Sequence, residues 1–132
     1  VIHAKRLERL AEIPCPGFPI RLAFTPSGDR VLVSCAKSGE IAAFDRASRR
    51  EMARQRLELS PAADGASRLF GDRFGNSPVP VGLVVSPEGD RAWVAATQAD
   101  AIVEFDPATL RILRLLRAGR EPDGMAFASG GR

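Results

Sequence analysis

The 132 residues carry a formal charge of +3, with 45% hydrophobic and 27% charged residues. That balance excludes a disordered or fibrous chain, and the length suits one domain of ordinary size. No apolar run approaches the roughly 18 residues that cross a bilayer, and the Arg-rich charge lacks the interleaved aromatics that stack on nucleic acid.

Residues 5–14 read as an outer strand preceding the first complete unit. An apolar run at 20–25 then ends in Pro26-Ser27-Gly28-Asp29. Proline presets the first turn position and glycine supplies the left-handed one, so a tight hairpin with a bulge is predicted. A second β-rich run follows at 31–36, a polar turn at 37–39, and a third run at 40–45. Asp45 opens the next turn, because Asp favours the first turn position. The fourth segment, 51–59, is ambiguous. Ser48-x-x-Glu51 has the form of a capping box, and the residues that follow are good helix formers. We read it as a strand, since its surroundings are those of a four-stranded meander. Residues 60–78 form a long insertion. Runs at 81–86, 92–97, 101–106 and 111–116 then repeat the first four, with turns at 87–90, 98–100 and 106–109.

The two units align without a gap. Residues 19–51 match 80–112 at an offset of 61, with 12 identities in 33 positions. A third copy starts at Pro122, offset by 42 from the second, and residues 122–128 read as its inner strand. The unit is about 42 residues, the length of one four-stranded propeller blade. The motifs Ser86-Pro87-Glu88-Gly89-Asp90-Arg91 and the run from Ile102 to Thr109 resemble the YVTN-type β-propeller repeat. Departures are Leu32-Val33 and Trp93-Val94 for the usual Tyr-Val, Arg21 for glycine, and Ala36 and Thr97 for asparagine. The resemblance implies an all-β fold: a β-propeller segment of four-stranded antiparallel blades across residues 1–132. Rings of this kind take roughly four to eight blades, so an incomplete ring is expected here. Residue 1 is Val, which reads as a processed or cut terminus. Many proteins with this repeat are exported, which implies a periplasmic or secreted location.

The resemblance places the insertion on the face where such propellers bind. Arg68, Asp72, Arg73 and Asn76 are its polar candidates, and Leu69, Phe70 and Phe74 its anchors. Arg21 begins an innermost strand, where its guanidinium serves either as a fork for an anion or as the partner of Asp123. Trp93 is expected to pack between sheets. Cys15 and Cys35 have no metal-ligand spacing and pair only if they share a face in an oxidising compartment.

His3 is the only imidazole, and there is no nucleophile elbow, phosphate loop or calcium loop. No catalytic residue, metal or cofactor is therefore expected. The sequence favours a non-enzymatic binding or interaction module that holds a small-molecule ligand or protein partner on the insertion face. It is expected to bind no nucleic acid and to cross no membrane, and its open blade edges invite self-association. The alternative is part of an enzymatic propeller, lactonase-like or a quinoprotein-type dehydrogenase subunit.

Overall fold

Each hairpin is built by the same side-chain chemistry twice. In the computed structural model, which describes residues 1–64 and 67–128, Thr25 Oγ1 donates to Asp29 Oδ1 at 2.6 Å and Gly28 turns the chain at φ +70°. Ser86 and Asp90 repeat the bond at 2.9 Å, with Gly89 at φ +76°. Asp45 accepts the Ser48 amide at 2.6 Å, and Asp106 accepts the Ala108 amide at 2.7 Å. The Ser48 hydroxyl and then its amide hold the Asp45 carboxyl below the usual carboxylate range, and the Ala108 amide does so for Asp106, so these acids serve the turns.

The strands that the turns join are β1 (Pro19–Phe24), β2 (Arg30–Cys35), β3 (Glu40–Asp45), β4 (Glu51–Arg56), β5 (Pro80–Val85), β6 (Ala92–Ala96), β7 (Ala101–Phe105) and β8 (Ile112–Arg117). They form two antiparallel sheets, β1-β2-β3-β4 and β5-β6-β7-β8. The register irregularities recur too. One follows the first proline of each sheet, Pro19 or Pro80, and another falls at Ala43/Phe44 and at Glu104/Phe105. The ambiguous fourth segment is strand in both copies. Pairing with the whole length of β3 or β7 outweighs a helix preference of a few tenths of a kcal/mol per residue, on the order of 0.5. That strand is shorter than the segment read from sequence, ending at Arg56.

The alternation of side chains puts Leu32, Ile41 and Ala43 on one face of the first sheet. They meet Leu83, Val94, Val103 and Phe105 of the second sheet, with Leu57 and Leu110 closing the ends. Alanines at 43, 92, 96 and 101 let the sheets approach closely. The first sheet's other face buries Val33, Cys35, Ala42 and Phe44 beneath Ile13 and Cys15. Ser34 Oγ donates to the Val81 carbonyl at 2.8 Å, a buried bond between sheets. Ser34→Ala leaves that carbonyl without its donor, and a loss of about 1–2 kcal/mol is expected in urea unfolding.

Residues 5–14 contain no regular strand, and the pairing there is a single bridge, Ile2 with Arg9. Residues 122–128 run past the second sheet without regular pairing. Thr97 Oγ1 donates to the Pro122 carbonyl at 2.7 Å, and the Phe127 ring meets Trp93 edge-on at 5.5 Å. Trp93 is thus half-buried on the outer face of the second sheet and does not lie between the two sheets, because its alternation places it opposite Val94. Residues 129–131, which end the third copy of the repeat, lie outside the described residues.

Candidate functional site

The insertion between β4 and β5 folds back on the end of the sheets where β2 meets β3 and β6 meets β7. Its apolar anchors are Phe70 and Phe74, which join Ala36, Val79 and Val81 in a separate cluster. Phe74 also meets Phe18 at 5.1 Å between ring centroids. Arg73 is exposed and lies over Phe18 and Phe74 at 5.7 and 5.5 Å, a cation–π position. Leu69, expected to anchor, is instead 70% exposed; its amide is what is held, by Glu121 Oε1.

Arg68 sits inside the fold, its side chain 2% exposed. Its Nε bonds Asp64 at 2.6 Å, and its two terminal nitrogens take both oxygens of Asp100 at 2.7 and 2.5 Å. Nη1 also donates to the Thr97 carbonyl at 3.3 Å. Arg120 reaches Asp64 Oδ2 at 2.5 Å, and the Glu121 amide reaches Asp100 at 2.9 Å. One buried guanidinium therefore ties the insertion to the β6–β7 turn, and its two aspartates hold the segment after β8. Arg68 holds the Asp100 carboxyl down at about 2, with help from the Glu121 amide. The sequence reading offered Arg68 to a ligand; the structure gives its fork to two aspartates.

Asp72 and Asn76 are exposed and line a concavity of 540 Å³, together with Ser60, Gly71 and Gln98. Gln98 is 2% exposed. Its Nε2 donates to the Gly71 carbonyl at 2.9 Å, its amide donates to the Pro78 carbonyl at 3.0 Å, and its own carbonyl accepts the Ala62 amide at 2.7 Å. The Gly71 carbonyl can only accept, which fixes the amide's orientation. Gln98 Oε1 is left buried with no donor among the described residues. A buried carbonyl oxygen of this kind takes up a hydrogen-bond donor when one is offered, because leaving it unmatched costs about 1–3 kcal/mol. Sequence reasoning treated Gln98 only as part of a polar turn. One signal was present: the equivalent residue of the first unit is Lys37.

Arg21 and Asp123 are both exposed, and the described residues form no ion pair between them. Arg21 Nη1 donates to its neighbour, the Ile20 carbonyl, at 3.1 Å. These two residues are not brought to the concavity that Asp72, Asn76 and Gln98 line. A smaller hollow of 230 Å³ lies among the repeated hairpin turns, between Asp29 and Glu88. Its Asp29 is committed to Ser27 and Thr25, which hold the carboxyl below the usual range. No helix among the described residues is long and apolar enough to cross a membrane, and the described residues contain no cluster of metal-ligating side chains.

No family model matches the sequence, and no curated protein matches it either. Among solved structures, the chain is similar to hydrazine synthase of Kuenenia stuttgartiensis, with a TM-score of 0.69 and 13% identity over 94% of this chain and 30% of that one. It is similar to a 6-phosphogluconolactonase candidate from Bacteroides fragilis, with a TM-score of 0.65 and 17% identity over 89% and 31%. The WD40 repeats of RRP9 match with a TM-score of 0.60 and 13% identity over 82% and 28%. The chain thus spans about a third of the solved chains it matches. These likenesses show the fold: two four-stranded blades of a β-propeller, with the ring open. The neighbours include proteins named for enzymes and a WD40 repeat protein, and no single function follows from them.

Proposed function

We propose that this chain is a two-blade part of a YVTN-type β-propeller that acts as a non-enzymatic binding module, with its ligand on the insertion face. Gln98 carries the reading: it lines a concavity built by the insertion, and its buried Oε1 has no donor among the described residues. Asp72 and Asn76 at the same concavity add an exposed carboxylate and a carboxamide. That set suits a ligand group rich in donors, such as a hydroxyl, a primary amide or an ammonium. Further blades of the ring would cover the apolar outer side chains of β1, Leu22 and Phe24, which are 60% and 53% exposed. The repeat resemblance supports a periplasmic or secreted location.

The test is a titration of nitrogen-15-labelled protein with glycerol, acetamide and ethylammonium, followed by amide shifts. The expected response is confined to residues 60–63, 71–76 and 98. Asp72→Ala and Gln98→Met are each expected to weaken it about tenfold, since each removes a hydrogen-bond acceptor from the site. Shifts centred on the hollow between Asp29 and Glu88, or no response to any of the three probes, would refute the reading.

A further inference from the structure

Cys15 and Cys35 lie 20 residues apart in sequence, yet their Sγ atoms are in contact at 3.7 Å. We propose that they are the two halves of a reversible disulfide that locks the segment preceding β1 onto the end of β2. This is independent of the ligand reading, because the cysteines lie under the first sheet's other face, in the cluster of Val33, Ala42 and Phe44.

Three features of the surroundings carry the proposal. First, the backbone beside both cysteines is already pinned. The Ala36 amide donates to the Phe18 carbonyl at 2.9 Å, and the Lys37 amide to the Gly17 carbonyl at 2.9 Å. A disulfide bond is about 2.05 Å long, so side-chain rotation has to supply the remaining approach while the main chain stays in place. Gly17 makes the crossing close: its φ is +95°, and a Cβ there would overlap Ser38 Oγ.

Second, the two thiols are unequally accessible. Cys15 is half-buried and Cys35 is buried. An external oxidant therefore meets Cys15 first, and Cys35 is positioned to resolve what forms there.

Third, one guanidinium covers both sulfurs. Arg54 Nη1 is 3.4 Å from Cys35 Sγ, and Nη2 is 4.0 Å from Cys15 Sγ. Glu40 and Glu51 hold Arg54 in place at 3.1 and 2.8 Å. The guanidinium therefore lies against both sulfurs that the exchange would join.

The oxidant is a low-molecular-weight disulfide. The Cys15 thiolate attacks one of its sulfurs, breaks its S–S bond and releases one small thiol. Cys35 then loses its proton to solvent and attacks Cys15 Sγ, which releases the second small thiol. Two protein thiols are oxidised and one small disulfide is reduced to two thiols. Burial, followed by the nearby Cys15, pushes the Cys35 thiol up to about 12. The resolving step is accordingly slow at neutral pH and quickens as pH rises.

The experiment incubates reduced protein with oxidised glutathione, then denatures it, alkylates it and records the intact mass. The expected product is monomeric, lacks the mass of two hydrogens and has no alkylated thiol; dithiothreitol restores both thiols. Cys35→Ser is expected to accumulate one stable glutathione adduct, and Cys15→Ser none. Closing the loop is expected to raise Tm by roughly 5–10 °C. Two alkylatable thiols, a persistent glutathione adduct on the unmutated chain, or a disulfide-linked dimer would each overturn the proposal.

Discussion

Replacing Arg68 with alanine is expected to cost about 2–4 kcal/mol and to release the insertion from the end of the sheets. The wild-type guanidinium is enclosed and shared between Asp64 and Asp100. Removing one partner of a buried pair typically costs about 3–5 kcal/mol, because the remaining charge is stranded. Here Asp64 and Asp100 keep 43% and 31% of their side-chain surface in solvent, which lowers the figure. The Thr97 carbonyl also loses a buried donor. Urea unfolding measures the cost, and hydrogen exchange at residues 67–77 measures the release. An unchanged midpoint and unchanged exchange would show that Phe70 and Phe74 hold the insertion by themselves.

The same substitution carries a pH signature. The folded pKa of Asp100, about 2, lies below its ordinary value of 3.8. A carboxyl lowered in this way adds stability above its unfolded value and loses it as pH falls through its folded value. The wild type should therefore lose stability between pH 3.8 and about 2 through this group. Arg68→Ala removes the largest cause of the lowering, so its stability should fall less over that window.

Gly82→Ala is the second large effect, expected to cost about 1–3 kcal/mol or to detach the segment after residue 121. The cause is steric. A Cβ at Gly82 would overlap the carbonyl oxygen of Asp123, a backbone atom that cannot rotate aside. Trp93, the chain's single tryptophan, reports the outcome, because Phe127 of the same segment packs on it. Detachment is expected to shift its emission to the red. Gly124→Ala is the control, since a Cβ there meets none of the described residues within 4 Å. Equal spectra and equal stability for Gly82→Ala and wild type would remove Gly82 as the contact that seats this segment.

The turns were legible because their causes are local. Pro-x-Gly-Asp and the opening Asp of each second turn specify their own geometry, and the repeat states each of them twice. The meander followed from that punctuation. The fate of the fourth segment also followed, although its composition alone favours helix, because the repeat around it is consistent only with a sheet. The site was legible in part. The length of the insertion drew attention to Asp72 and Asn76, which do line the concavity. Asp100 carried a readable signal that passed unnoticed. It occupies a left-handed position, φ +51°, where the first unit has Gly39 at φ +70°. A non-glycine residue in that conformation is uncommon, and here its side chain is the partner of Arg68.

The sequence by itself determined the strand order and the hairpins, because these depend on contacts between residues near one another along the chain. Only the tertiary structure decided what the long side chains do. Arg68 stood as a ligand candidate until the insertion folded against the β6–β7 turn and gave it Asp64 and Asp100. Gln98 Oε1 was left without a donor among the described residues only when Gly71 took the amide nitrogen. Cys15 and Cys35 came into contact only when the segment before β1 crossed the end of β2. In each case the deciding neighbour is distant in sequence, and strand alternation tells which face a side chain occupies but not what is packed against that face.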